Sequence, residues 1–320
     1  MAASSDQHAD TLSRDLIQAL DDLNGLHAGF RPAHAKGAML TGMFRPSLDA
    51  RQLTRAPHAH GESTPVTVRF SDSAGFPTVA DNDPNFASPR GIAIRFHLGE
   101  HVHTDIIGHS TDGFPVRTPQ EFLEFLKAAA TSGPDVPSPK PIELFLGKHP
   151  SALKYVQTPK PIPTSFAKES FFSVNALKFI NAEGKSRFGR YRIRPELVSE
   201  YLDPAAAVNK SANFLFDDLA ERISERPIKF EVVVQLAEAG DTVDDATVNW
   251  PESRDLILLG QLELTALVPV SDGEKRRIIF DPIPRVDGIE PSGDPLLETR
   301  ADVYLASGRR RRAAAKAAEA

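Results

Sequence analysis

The chain has 320 residues, 41% of them hydrophobic and 25% charged, with a formal net charge of −6; such a balance suits a globular fold and argues against general nucleic-acid binding. It contains no cysteine, which excludes disulfides, thiolate ligands and a cysteine nucleophile. No apolar run approaches the ~20 residues that span a bilayer, and the N-terminus lacks the basic-then-apolar order of a secretory signal, so the expected location is the cytoplasm.

Residues 1–24 read as an amphipathic helix, with Leu12, Leu16, Ile17, Leu20 and Leu23 at helical spacing. The segments 64–75, 90–98 and 102–110 are short alternating or β-branched runs punctuated by Gly, Pro, Asp and Asn, the pattern of strands. "TPQEFLEFLKAAATSG" (118–133) switches to helical period, with Thr118 as N-cap, Pro119 in the first position and Glu121 completing a capping box. The proline-rich stretch 134–163 is expected to be a packed connection with short helices. Two alternating strands follow within 170–196, turned by "NAEGKS". Residues 197–227 read as helix broken near Pro204, and 228–238 and 256–267 as further strands. Asp294 is the expected N-cap of a final helix starting at Pro295. The expectation is an α+β fold, an antiparallel β-barrel or sheet core with flanking helices, forming one domain over 1–320.

Three groups of residues carry possible chemistry. Arg300 and Tyr304 stand four apart on the last helix and so share a face. A guanidinium there favours the anionic form of a phenol, which is the form that binds Fe(III). The same spacing also fits an exposed Arg–Tyr pair. In "RPAHAKGAML" (31–40), His34 has the chemistry of a general acid/base, Arg31 can pair an anion beside it, and Gly37 permits close approach. On the strand "VRFS", Arg69 and Ser71 share one face; that face is either solvated or buried against a polar partner. His58 with His60, and His101 and His103 with Asp105, are placed on strand faces where Zn²⁺ or Cu²⁺ can bind.

Taken in order, "RPAHAKGA", "TVRFSDSAG", "PRGIAIRFH", "NALKFINAEGK" and "GIEPSGDPLLETRADVY" (288–304) resemble the haem catalase superfamily, specifically its short members, the catalase-related peroxidases. The resemblance spans roughly 25–312 and implies a catalase-like haem fold with haem b and its iron as cofactor. It makes His34 the distal histidine, Ser71 its hydrogen-bond partner, Tyr304 the axial metal ligand and Arg300 the partner of the phenolate. Tyrosine ligation of haem is an established feature of catalases, and the assignment of Tyr304 comes from the resemblance alone. Arg31, Arg69 and Arg311 fall where the family clamps the haem propionates, and Phe122 where it stacks an aromatic ring near the porphyrin. Arg309, Arg310 and Arg312 are expected to belong, with 313–320, to a solvated tail.

One departure stands out. The family carries a distal asparagine in G-N-N-T-P, whereas this chain reads "GHSTDGFP" (108–115), with His109 in that place. The chain is also expected to do without the long N-terminal arm and C-terminal helical domain of full-length catalases. The resemblance therefore implies a peroxidase that reduces hydrogen peroxide or organic hydroperoxides with a small organic donor, with weak catalase activity and a possible homo-oligomer, and no nucleic-acid or membrane partner. The alternatives on the same scaffold are a hydroperoxide isomerase or dehydratase of allene oxide synthase type and a non-catalytic haem-binding protein.

Overall fold

A computed structural model describes residues 2–269 and 277–319. Among the described residues ten strands run β1 Gly37–Pro46, β2 Thr64–Ser71, β3 Gly91–Gly99, β4 Val102–His109, β5 Phe171–Phe172, β6 Leu177–Ile180, β7 Ser186–Pro195, β8 Ile228–Leu236, β9 Leu256–Leu267 and β10 Ile289–Pro291. Eight of them close into an antiparallel barrel in the order β1-β2-β3-β4-β5-β7-β8-β9 and back to β1. The short β5 and β6 pair in succession along the same edge of β7, and β10 adds to β6. Closure leaves no long edge among these eight strands, which removes the templating hazard of an open sheet.

The barrel follows the period-two alternation of its strands. Leu40 and Phe44 on β1, Val66, Val68 and Phe70 on β2, Ile92, Ile94 and Phe96 on β3, and Phe230, Val232 and Val234 on β8 are all buried in one cluster. Register stacks these rows, with Val68 opposite Ile94 and Phe70 opposite Ile92. The intervening residues point out of the barrel, where helices cover part of that face. Those are α1 Ala2–Asn24, α3 Pro119–Ala130 and α8 Leu296–Glu319, with the four-residue α2 Ala50–Leu53 lying beside β9. Along α1, Leu12, Leu16, Ala19, Leu20 and Leu23 meet Phe122, Leu123 and Leu126 of α3 and Val303 of α8. A bidentate pair from Arg310 to Asp21 ties α8 to α1.

The helix α3 begins as its capping box requires, with Thr118 Oγ1 accepting from Glu121 N and Glu121 Oε2 accepting from Thr118 N. The proline-rich stretch holds α4 Pro141–Lys148 and α5 Pro150–Gln157, each with proline in its first turn. Asp294 caps α8 by accepting from Leu296 N. Two expectations need correction. Residues 197–203 are not helical, because Tyr201 forms a bridge with Pro163; helix is confined to α6 Pro204–Ala207 and α7 Phe214–Glu225. The solvated tail needs correction at Arg310, which holds Asp21 and is half-buried, whereas Arg309 and Arg312 are exposed as expected. Among the described residues no helix is long and apolar enough to cross a membrane.

His58 sits in the barrel core, in a 3₁₀ turn rather than on a strand. Its ring lies 4.7 Å from that of Phe96, and neither ring nitrogen has a partner. Burial first, then His60, lowers its pKa from 6.5 to about 4. The unfolded chain therefore takes up a proton that the fold refuses: the contribution to stability is intact above about pH 6.5 and is lost as pH falls towards 4. His58→Leu is expected to flatten this acid-side loss by up to about 1.4 kcal/mol per pH unit in chemical denaturation of the haem-free protein. Identical pH dependence in both proteins would contradict the assignment.

Candidate active site

The strand register builds the floor of a cavity on the outer face of the barrel. Across four strands one row reads Ser71, Gly91, His109 and Phe172, and the next reads Arg69, Ala93 and Ile107. Glycine and alanine in the middle of these rows leave the floor low and flat. Leu16 and Leu20 of α1, Phe122 of α3 and Arg300, Val303, Tyr304 and Arg311 of α8 complete a cavity of about 260 Å³. The nine residues that the resemblance implies for the site, His34, Ser71, His109, Arg31, Arg69, Phe122, Arg300, Arg311 and Tyr304, all line it.

His34 is held in the left-handed region at φ 56°, which a non-glycine residue adopts only when its surroundings enforce it. The enforcing contacts are His34 N to Ser73 O at 2.8 Å, Ala35 N to Ala74 O at 2.8 Å, and Arg69 Nη2 donating to His34 O at 2.8 Å. Ser71 Oγ lies 3.1 Å from His34 Nδ1. Burial, followed by the charge of Arg69, lowers the His34 pKa to about 4, so the imidazole is neutral at physiological pH. Gly91 is required here: a Cβ would stand 2.6 Å from Ser71 Oγ and 2.8 Å from His34 Nδ1.

His109 is half-buried and neutral, its pKa lowered to about 3 by desolvation and then by His34. Its Nδ1 accepts from Thr111 N at 3.3 Å, while Nε2 has no partner. On α8, Arg300 Nη2 donates to Tyr304 Oη at 3.2 Å, and Arg300 Nη1 donates to Asn175 Oδ1. Asn175 Nδ2 in turn donates to Asp294 Oδ2 at 2.7 Å. Sequence reading missed Asn175, Asp294 as a partner, and Gly91; the glycine inside the alternating run "RGIAIRFHL" was the available signal.

The described residues lining the cavity include four arginines and no carboxylate. Arg311 is buried, its Nε lacks a partner, and burial pulls its pKa down to about 10. A desolvated guanidinium without an acid favours an anionic ligand. The low floor of Gly91 and Ala93 and the walls of Leu16, Phe122 and Val303 suit a flat apolar body. Tyr304 offers a phenol whose oxygen already accepts from a guanidinium. A haem, with two carboxylates on one edge of an apolar plate and an iron that takes an oxygen ligand, fits this donor set.

The zinc reading fails. His101 lies in a turn at φ 59° outside β4, and Asp105 is held by Arg95 at 2.8 and 2.6 Å. Among the described residues no group of three or more histidines and acids could hold a metal ion.

A family model described as Catalase matches residues 9–318. The chain is 33% identical to a catalase-related peroxidase of Mycolicibacterium paratuberculosis, over 95% of this chain and 96% of that protein. It is also 33% identical to a catalase-related peroxidase of Synechococcus elongatus, over 91% and 86% respectively. In fold it is similar to a fungal catalase crystal structure, with a TM-score of 0.79 at 22% identity, covering 89% of this chain and 60% of the other.

Gly91→Ala is expected to push Ser71 and His34 apart and to lower stability by about 1–3 kcal/mol in denaturant unfolding. Wild-type stability in that variant would contradict the packing described.

Proposed function

Since the chain belongs to the catalase family, we propose that it is a haem peroxidase, reducing hydrogen peroxide or organic hydroperoxides at the expense of an organic electron donor, with weak catalase activity. The observation that carries this reading is the apolar, arginine-lined cavity holding a neutral imidazole pair and an arginine-bonded phenol. Haem b bound there supplies the redox centre at which a peroxide O–O bond is broken and to which the donor returns electrons.

The protein's part is binding, orientation and proton handling. Arg31, Arg69 and Arg311 would clamp the two carboxylates of the haem, and the exclusion of water would strengthen those charge-assisted bonds. Tyr304 would hold the iron through its phenolate oxygen. Arg300 donates to its oxygen and so favours the anion that the metal needs; Asn175 and Asp294 hold Arg300 from behind. Phe122, which lines the cavity, would pack against the flat face of the haem.

His34 moves the proton. With Nδ1 donating to Ser71 Oγ, Nε2 keeps its lone pair and accepts a proton from one peroxide oxygen. It returns that proton to the other oxygen, which leaves as water or, from an organic hydroperoxide, as an alcohol. The depressed pKa keeps the base free at neutral pH. His109 Nε2, buried and without a partner in the protein, is available to hydrogen-bond the bound peroxide. An imidazole in this place differs from an amide in having a single polar atom facing the cavity, with its other nitrogen engaged by Thr111.

Purified, haem-loaded protein is expected to oxidise a phenolic dye with peroxide, and His34→Ala to lose at least about 100-fold of that rate while retaining haem. Dye oxidation at the wild-type rate in the variant would refute the proton-transfer role.

A further inference from the structure

Directly behind the cavity floor, and lining none of it, lie four charged side chains: Lys36, Asp72, Asp81 and Arg90. Three of them adjoin a distal residue in sequence. Lys36 is two residues after His34, Asp72 follows Ser71, and Arg90 precedes Gly91. Arg90 also brackets the fourth strand end, since its N–H donates to Ser110 Oγ at 2.9 Å and its carbonyl accepts from Ser110 N at 2.8 Å, next to His109.

The side chains bind one another. Arg90 Nη1 donates to Asp72 Oδ1 at 2.5 Å and to Ala87 O at 2.6 Å, and Nη2 donates to Asp81 O. Lys36 Nζ donates to Asp81 Oδ1 at 2.5 Å and lies 4.0 Å from Asp72 Oδ2. Asp72, Asp81 and Arg90 have no exposed side-chain surface. Such buried pairs contribute little net stability, because desolvation offsets the attraction, and apolar residues of the same volume often serve as well. What apolar residues do not supply is fixed distances between the segment after His34, the end of β2, the start of β3 and the end of β4.

We propose that the Arg90–Asp72 pair, braced by Lys36 and Asp81, is a positioning device for the peroxide reaction, locking Ser71, Gly91 and His109 so that the His34 imidazole meets the bound peroxide. The proposal rests on the proton-transfer role of His34. The groups facing the Asp72 carboxyl are Arg90, Asp81 and Lys36. Burial pushes its pKa up, Arg90 and Lys36 oppose the rise, and Asp81 adds to it. Above that pKa the carboxylate is charged and grips Arg90; as pH falls through it, the grip is lost. The peroxide rate therefore has an acid limb above the pH at which a free carboxylate titrates.

The test uses full-length, haem-loaded wild type, Asp72→Asn, Asp72→Glu and His34→Ala. It measures haem stoichiometry, the second-order peroxide rate by stopped flow between about pH 5 and 8, and affinity for cyanide, which gives up a proton on binding. Asp72→Asn is expected to keep its haem, to react with peroxide at least about tenfold more slowly at neutral pH, to bind cyanide more weakly, and to lose the acid limb. Should that variant fail to take up haem, Asp72→Glu retains the charge at the wrong length and is expected to be slow with the limb still present. A wild-type rate and profile in either haem-loaded variant, beside a slow His34→Ala, overturns the positioning role alone. If His34→Ala itself reacts at the wild-type rate, the role of His34 is what fails. A flat wild-type profile across this range also overturns the proposal, whatever the variants do.

Discussion

Positive charge gathered around one apolar cavity is the constraint on which this structure turns. Four guanidiniums face one apolar cavity whose described lining holds no carboxylate. Elsewhere the chain pairs its buried arginines readily, as with Arg95 and Asp105 or Arg90 and Asp72. Arg311, buried on α8, instead donates through Nη2 to the carbonyl of Ile278 at 3.4 Å, and its Nε is without a partner. Burial of this kind is unfavourable in the bare protein and is offset when an anion binds. A guanidinium so placed favours a ligand that brings its own carboxylate.

The barrel gives that ligand a place by register rather than by any single residue. Closing eight strands sends alternate side chains inward to the core, and the outward rows become a surface on which helices can rest. Where those rows carry Ser71, Gly91, His109 and Arg69, Ala93, Ile107, the surface is low and polar at its ends. A slip of one residue between β2 and β3 would turn Ser71 and Arg69 into the core and Phe70 into the cavity. Helix α8 then brings its own chemistry across the top, with Arg300 and Tyr304 one turn apart and Arg311 two turns further on. The Arg310–Asp21 pair fixes α1 against α8, so that Leu16 and Leu20 close the side.

Much of this was legible from local pattern. Strands β2, β3 and β4, the capping box of α3, the "NAEGKS" turn and the cap at Asp294 all follow from spacings of two to four residues, and the nine site residues share one cavity. Strand β1 was not recognised, because Gly37 and Gly42 weaken its strand pattern. Both are there for space: a Cβ on Gly42 would stand 2.1 Å from Glu263 O. The links that make the site work join distant parts of the chain. Asn175 meets Asp294 across 119 positions, and Lys36 meets Asp81 across 45. No period in a sequence reports such pairs. The basic run at the end misled only at Arg310: its composition suits a solvated tail, which holds for exposed Arg309 and Arg312, while the helical phase turns Arg310 onto Asp21 and buries Arg311.

The central claim is that Tyr304, as a phenolate supported by Arg300, holds the iron of a haem in this cavity. Resonance Raman spectroscopy of the haem-loaded protein tests it most directly, with Tyr304→Phe as the comparison. The expected result is a set of phenolate vibrations enhanced through a phenolate-to-iron transition in the wild type and absent from the variant. Wild-type spectra without those vibrations, or the same vibrations persisting in Tyr304→Phe, would contradict it.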